Sequence, residues 1–307
     1  MISYILLFLF FILVYFKGVS PVVFGGDSGD IVLSYFFAGV AHPPGYPLNT
    51  MLGWIFTRIP WGETFAFGAN LLSSFYMALT LVILFATLSR FVKDRIAALV
   101  AVLVLGFSHL FWLYAHNAEV FQLGLLLVSI SFYFLVRSIE EKKVKSRYSK
   151  NTLATFVFLG LAVFHHHTII LLIPSFLFLL WRSKVLNFKN IKENVKIAFC
   201  FLFGLTPYIF VPFASSFRTP LNWDNPSNVE GFLKLITRAD YGTFSASGDL
   251  IGFTFAARFL QIIWYFKVIL ADFTVFGLFF AFLGLVYLFY IKRDFLIFLV
   301  VTFFLSG

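Results

Sequence analysis

Apolar runs of about 18 or more residues with few charges recur along this 307-residue chain, and a run of that length is what a helix needs to cross the hydrocarbon core of a bilayer. The pattern predicts an all-α, polytopic integral membrane protein. Composition agrees with it. Hydrophobic residues make up 61% of the chain and charged residues only 12%, against roughly 25% charged in a soluble domain. A soluble globular fold is therefore excluded, and the 46 Phe residues suit helix walls that face lipid.

The runs predict helices near 2–19, 64–89, 96–113, 120–136, 152–164, 168–181, 197–213, 268–290 and from 295 onward, about nine membrane helices in all. Met1–Phe16 has no basic leader and no small-x-small cleavage site before Lys17, so it is expected to stay as the first helix rather than leave as a signal peptide. The last run is apolar to its end, and the chain is expected to be the front part of a longer protein.

The net charge of +9 does not point to nucleic acid, because the basic residues sit in short loops between the apolar runs. Four junctions hold most of them: Arg90, Lys93 and Arg95; Arg137, Lys142, Lys143, Lys145, Arg147 and Lys150; Arg182, Lys184, Lys189, Lys192 and Lys196; Lys292 and Arg293. All four fall on one side if 152–181 is two short helices, and the positive-inside bias puts that side in the cytoplasm. Each of those helices rises only about 20 Å, so a hairpin dipping into the membrane satisfies the parity as well as two full spans do. The single cysteine, Cys200, excludes an intrachain disulfide and leaves the redox compartment unread.

Two long segments, 17–63 and 214–267, then face outward, joined on that side by a short turn near 114–119 and the histidine run at 165–167, and the acidic residues collect there: Asp27, Asp30, Glu63, Glu119, Asp224, Glu230, Asp240 and Asp249. The first begins Gly25-Gly26-Asp27-Ser28-Gly29-Asp30. The glycines permit a tight turn, and Asp27 before an apolar stretch predicts a helix start. Asp27 and Asp30 lie three apart, on one face of a short surface helix. Asp27 can cap that helix, with Asp30 favouring its first turn, and a surface cap stays accessible for chemistry. His42-Pro43-Pro44-Gly45-Tyr46-Pro47 follows. Its prolines fix the backbone, so the stretch is either a structural turn or a rigid mount for His42 and Tyr46 before a helix at 48–58.

His165-His166-His167 interrupts an apolar stretch. Successive helical residues point about 100° apart, so the three cannot serve one site and do not make a metal cluster by themselves. They are either solvated residues at a helix end or donors to a phosphate. The second outer segment carries Arg218, then Asn222-Trp223-Asp224, then Arg238 and Asp240. Arginines at a membrane surface suit lipid phosphates through bidentate hydrogen bonds, unless they are ordinary exposed loop residues.

Four separated motifs carry a resemblance: GGDSGD with AHPPGYPL, HNAEVFQL, GLAVFHHHTIILL, and TPYIFVPFASSFRTPLNWDNP with TRADYG. In this order, over nearly the whole chain, they resemble the transmembrane O-mannosyltransferase-like family of the GT-C glycosyltransferases. The resemblance implies a GT-C-type helical bundle, with short interfacial helices in the first outer loop, forming one membrane-embedded catalytic domain over 1–307. It implies transfer of a sugar, mannose by analogy, from a polyprenyl- or dolichyl-phosphate donor to a protein hydroxyl at the outer or lumenal face of a plasma or endoplasmic reticulum membrane. It gives catalytic roles to Asp27 as general base, Asp30 and His42. Phosphate binding falls to His166, His167, Arg218 and Arg238, with His166 and Arg218 foremost. Tyr46, Glu119, Asn222, Trp223 and Asp224 are expected to position substrate. Family members often carry Glu where this chain has Asp30, one methylene longer. Membrane lipid, the lipid-linked sugar and a protein acceptor are the expected partners, with no nucleic acid, no cofactor and no metal.

The residues agree with the analogy on physical grounds. Transfer to a hydroxyl needs a carboxylate in reach of the acceptor proton and donors that stabilise the departing phosphate. Three rivals remain. A secondary transporter would place ionisable residues near the midplane, often in repeated halves, whereas only Asp272 and the histidine run fall within a span. A non-catalytic scaffold would not need Asp27 and His42. A GT-C enzyme acting on a lipid or a glycan differs only in its acceptor.

Overall fold

The computed structural model describes residues 2–141, 148–242 and 255–306. Lys142, Lys143, Lys145, Arg147 and Asp249 of the sequence reading lie outside those residues. The described residues form fourteen α-helices and no strand. In order these are α1 (Ile2–Phe16), α2 (Ser28–Phe37), α3 (Pro47–Phe56), α4 (Phe65–Val92), α5 (Arg95–Gly106), α6 (His109–Ala115) and α7 (Phe121–Glu140). There follow α8 (Lys150–His165), α9 (Ile173–Arg182), α10 (Ile191–Leu202), α11 (Phe210–Ser216), α12 (Val229–Thr237), α13 (Phe255–Ile291) and α14 (Arg293–Ser306). Short 3-10 turns at His167–Leu172 and Phe203–Ile209 lead into α9 and α11.

Among the described residues, four helical stretches are long and apolar enough to cross a membrane: Phe65–Val92, Phe121–Glu140, Ile191–Ser216 and Phe259–Ile291. A fifth exists if α5 and α6, bent by 69°, make one broken span. The run near 96–113 predicted a straight helix, but α5 stops at Gly106 and Ser108 turns the chain with extended backbone before α6 begins. The stretch at 152–181 forms two short helices rather than one long one. The largest difference is α13, which starts at Phe255 instead of 268. Arg258, Gln261 and Lys267 dilute the hydropathy there without stopping the helix, and Lys267 lays its ammonium 6.0 Å over the Trp264 ring.

α4 is the central post, packed by α1, α5, α6 and α7. Phe11, Leu81, Val102 and Phe111 interlock on one side of it, and Ile31, Tyr35, Leu72 and Leu123 on the other. A third cluster joins α7, α8, α9 and α14 through Leu135, Leu159, Leu179 and Phe298. Between helices in lipid, close packing and hydrogen bonds replace the hydrophobic drive. The α7–α8 seam fits that rule: Ser131 Oγ donates to the Thr155 carbonyl at 2.8 Å, and the Ser138 and Thr152 hydroxyls lie 2.5 Å apart. At the α8–α10 crossing a Cβ on Gly160 would meet the Phe201 carbonyl at 2.0 Å, so only glycine lets the two backbones approach. Asp272, the one carboxylate within the Phe259–Ile291 stretch, accepts the backbone N–H of His109 at the start of α6.

Candidate functional site

The loops at one end of the bundle converge on His42. Asp27 occupies the N-cap position of α2, and its carbonyl accepts the Ile31 N–H at 3.0 Å. Its side chain makes no capping hydrogen bond and is 51% exposed. Of the two roles open to Asp27, side-chain capping is thus not taken up, and its carboxylate is left facing outward. One turn later Asp30 is 17% exposed and fully engaged. Its Oδ2 accepts the His42 N–H at 2.9 Å and lies 2.7 Å from His42 Nδ1, while Oδ1 accepts the Trp223 indole N–H at 2.9 Å. Burial pushes the Asp30 carboxyl up, but these bonds and the His42 charge outweigh it and hold it below its ordinary value. An ionised carboxylate only accepts, so Asp30 takes the proton-bearing Nδ1 side of the ring. The His42 ring then presents Nε2 to Asp27 Oδ2, 3.5 Å away.

Glu119, in the loop between α6 and α7, comes in behind Asp27: its Oε1 accepts the Asp27 N–H at 3.2 Å. Gly26 has φ of 72°, and a Cβ there would stand 2.8 Å from Glu119 Oε1, so both the turn and the approach demand glycine. Burial first, and the Asp27 carboxylate second, push Glu119 up to about 7.

Tyr46 links this group to the histidines. It caps α3 in a left-handed conformation, φ 43°. Its ring stands edge-on to His42 at 5.0 Å between centroids and lies 5.5 Å from His165 and 6.5 Å from His166. Burial holds the Tyr46 hydroxyl well above its ordinary value. The three histidines divide as their angular spacing requires. His165 is buried and its Nε2 donates to the Val120 carbonyl at 2.8 Å. His166 bonds Thr168 Oγ1 through Nδ1 at 2.7 Å and faces Phe121. Burial, then the charges of Arg238 and His42, hold His166 below the ordinary histidine value.

His166 also lines a cavity of about 380 Å³ that runs between α4, α7 and the 167–172 turn. Its walls are mostly apolar, with Met77, Phe121, Leu125, Val128 and Ile169 among them, and Gln122 and Thr168 supply further polar atoms.

The second outer segment is tied to α2 by backbone as well as by Trp223. Val40 N–H donates to the Leu221 carbonyl at 2.9 Å and Trp223 N–H to the Val40 carbonyl at 3.2 Å, a lone parallel bridge between Val40 and Asn222. The Asn222 side chain turns to Asn225 Oδ1 at 3.3 Å. Asp224 is buried and pairs with Lys234 at 3.2 Å, which also holds Asp240 at 2.7 Å. Asp224 therefore braces its own loop. The two arginines part company. Arg218 is exposed, just past α11 in a left-handed turn. Arg238 caps α12, lies over the Tyr241 ring at 5.7 Å, and is near enough for its charge to act on Tyr46, His166 and His167. Its Nε is buried with no hydrogen-bond partner among the described residues.

One positioning residue escaped the sequence reading. Asn70 of α4 is fully buried; its Nδ2 donates to the carbonyls of Ser20 and Val22 at 2.8 and 3.0 Å, and its Oδ1 accepts the Ala118 N–H at 2.7 Å. It therefore joins the segment that leads to Asp27 to the one that carries Glu119. The signal was present as a single amide in a long apolar helix. Among the described residues no three His, Cys, Asp or Glu side chains are grouped as a metal ion would require.

Comparison with known proteins finds a family for this chain. Residues 27–189, just over half of the chain, match the family model described as the protein O-mannosyl-transferase TMEM260 N-terminal domain. The mouse protein O-mannosyl-transferase TMEM260 is 34% identical over 234 residues, which cover 74% of this chain and 33% of the relative. Its Dictyostelium discoideum namesake is 28% identical over 293 residues, 92% of this chain and 36% of the relative. The chain thus spans about a third of the length of the curated relatives it matches. No solved structure matches it. With the family model covering Asp27, Asp30, His42, Glu119 and the histidine run, the chain belongs to the TMEM260 family of protein O-mannosyl-transferases.

Proposed function

We propose that this chain is the membrane-embedded catalytic part of a GT-C glycosyltransferase with about nine membrane helices. In this reading it transfers mannose from a polyprenyl-phosphate donor to a hydroxyl of a protein, on the outer or lumenal side of its membrane. One observation carries the proposal: His42 is clamped by Asp30 and turned toward a half-exposed Asp27 carboxylate that caps nothing. The names of the family and of its relatives supply the sugar and the acceptor class.

Asp27 acts as general base. As the acceptor oxygen bonds to the sugar's anomeric carbon, Asp27 takes the hydroxyl proton, and the carbon–oxygen bond to the lipid phosphate breaks with its electron pair leaving on the phosphate. His42, held by Asp30, stands with Nε2 3.5 Å from Asp27 Oδ2 and fixes the geometry beside that carboxylate. The leaving phosphate gains negative charge and needs preorganised donors; Arg238, His166 and His167 are the nearest, with Arg218 at the exposed edge of the loop. The apolar cavity beside His166 accommodates the isoprenoid units closest to the phosphate.

The test uses the full-length protein in proteoliposomes, a radiolabelled polyprenyl-phosphate mannose and an unfolded acceptor protein. Label should appear on protein Ser or Thr and should require Asp27. Label on lipid or free glycan would move the acceptor class, and donor uptake without any transfer would replace the enzyme by a transporter.

A further inference from the structure

At the bundle end remote from His42 lies a second concave site, of about 510 Å³, formed where α4, α7 and α9 end and α13 passes into α14. Five cations line it: Arg90 and Lys93 from α4, Arg182 from α9, Lys292 and Arg293 from the junction. Among the described residues two carboxylates line the same cavity, Glu140 and Asp294, and both are occupied. Arg90 Nη1 lies 3.2 Å from Glu140 Oε2, and Arg182 Nε lies 3.0 Å from Asp294 Oδ1. Lys292 gives its ammonium to the Phe91 carbonyl at 2.6 Å and stands 3.7 Å over the Phe91 ring. Lys93 and Arg293 have no carboxylate partner among the described residues.

The cations therefore outnumber the anions in one cavity. Burial, with the charge of Lys93 next, holds the Lys292 ammonium below its ordinary value, as expected where positive charge is crowded. The remaining wall is apolar, built from Val136, Ile139, Leu179 and Phe295, and the neighbouring α13 turns exposed large hydrophobics outward along its length. Cations above an apolar wall, at the ends of apolar helices, match an anion that carries hydrocarbon. Basic pockets between membrane helices take acidic lipid head groups for this reason.

We propose that this cavity binds the phosphate of an anionic membrane phospholipid, held by Lys93 and Arg293 with its glycerol and first acyl carbons against Leu179 and Phe295. The site is independent of the transfer chemistry proposed above and does not depend on which leaflet it faces. It anchors the α4, α9 and α13–α14 ends to one another through a shared counter-ion.

The experiment is native mass spectrometry of the full-length protein released from phosphatidylcholine nanodiscs and titrated with phosphatidylglycerol, phosphatidylcholine or inorganic phosphate. The wild type should retain phosphatidylglycerol over phosphatidylcholine. Lys93→Gln with Arg293→Gln should weaken phosphatidylglycerol binding on the order of tenfold and leave phosphatidylcholine unchanged. Lys189→Gln with Lys192→Gln, which removes the same charge from exposed positions just before and at the start of α10, should leave the preference intact. Equal retention of the two lipids, an unchanged preference in the first double variant, or an equal loss in the second overturns the proposal. So does saturation by inorganic phosphate without lipid preference, which would assign the site to a soluble anion.

Discussion

Asp30 Oδ2 sits 2.7 Å from His42 Nδ1, so the histidine has one nitrogen committed and one free. Both Asp30 oxygens are in use, whereas Asp27 is half-exposed. In the proposed reaction this division separates an orienting carboxylate from the base.

Asp27→Asn keeps shape and removes most of the basicity. General-base groups contribute about 10²–10⁴-fold, so mannose transfer should fall by that order with donor binding intact. Asp30→Asn should cost less, because it disturbs the orientation of His42 rather than removing the base. Assaying both at matched protein levels decides the matter; near-normal transfer by Asp27→Asn would return Asp27 to a purely structural role.

Glu119 supplies a pH-dependent prediction. Its folded value of about 7 exceeds the ordinary 4.5, so the folded state holds that proton more tightly than the unfolded chain. The resulting stabilisation is complete below 4.5 and is lost as pH rises through about 7, with an upper bound of about 3 kcal/mol. Glu119→Gln retains an oxygen for the Asp27 N–H and carries no charge. Its Tm should therefore vary less than that of the wild type between pH 4.5 and 7. Parallel curves would rule Glu119 out as the titrating group.

Arg238→Gln should raise the donor Kd by about 10- to 100-fold, the worth of one charge-assisted phosphate contact. Arg218→Gln should change it by about threefold or less, as for an exposed charge. Competition binding with unlabelled polyprenyl phosphate measures both. The reverse order would restore Arg218 as the phosphate residue.

Asn70→Ala removes the Asn70 Oδ1 partner of the Ala118 N–H and two further bonds. Leaving buried backbone groups unpaired costs about 1–3 kcal/mol each, so a Tm drop of several degrees together with reduced transfer is expected. Normal stability with normal transfer would show that the two loops hold without it.

Orientation is open to chemical labelling. In a Cys200→Ala background, Lys192→Cys should be shielded from a membrane-impermeant thiol reagent in intact cells and Glu230→Cys should react. Labelling of Lys192→Cys alone would invert the molecule.

Periodicity and hydropathy located the helices of the bundle, because a span must be apolar over its whole length. They failed at the turn at Ser108, which breaks an apolar run, and at the early start of α13, where Arg258, Gln261 and Lys267 dilute the hydropathy without stopping the helix. Asp27, Asp30 and His42 were legible because a glycine turn, a helix start and a rigid proline stretch are local chemistry. Which of Arg218 and Arg238 lies nearer the histidines was not, since they sit in similar loop sequence and only the packing of α12 brings the Arg238 charge close to Tyr46 and His166. The pairing of Asp224 with Lys234, ten residues on, depends on how α12 folds back on the loop before it.

The stitch between Val40 and the 221–223 backbone, with the Trp223 indole on Asp30, makes the proposed reaction centre a composite of chain regions 193 residues apart. A truncated polypeptide covering just 27–189, the stretch that defines the family, would retain the base and its histidine yet lack both the indole that fixes Asp30 and the guanidinium near the histidines. On the proposed function such a minimal fragment should be catalytically silent even where it inserts correctly.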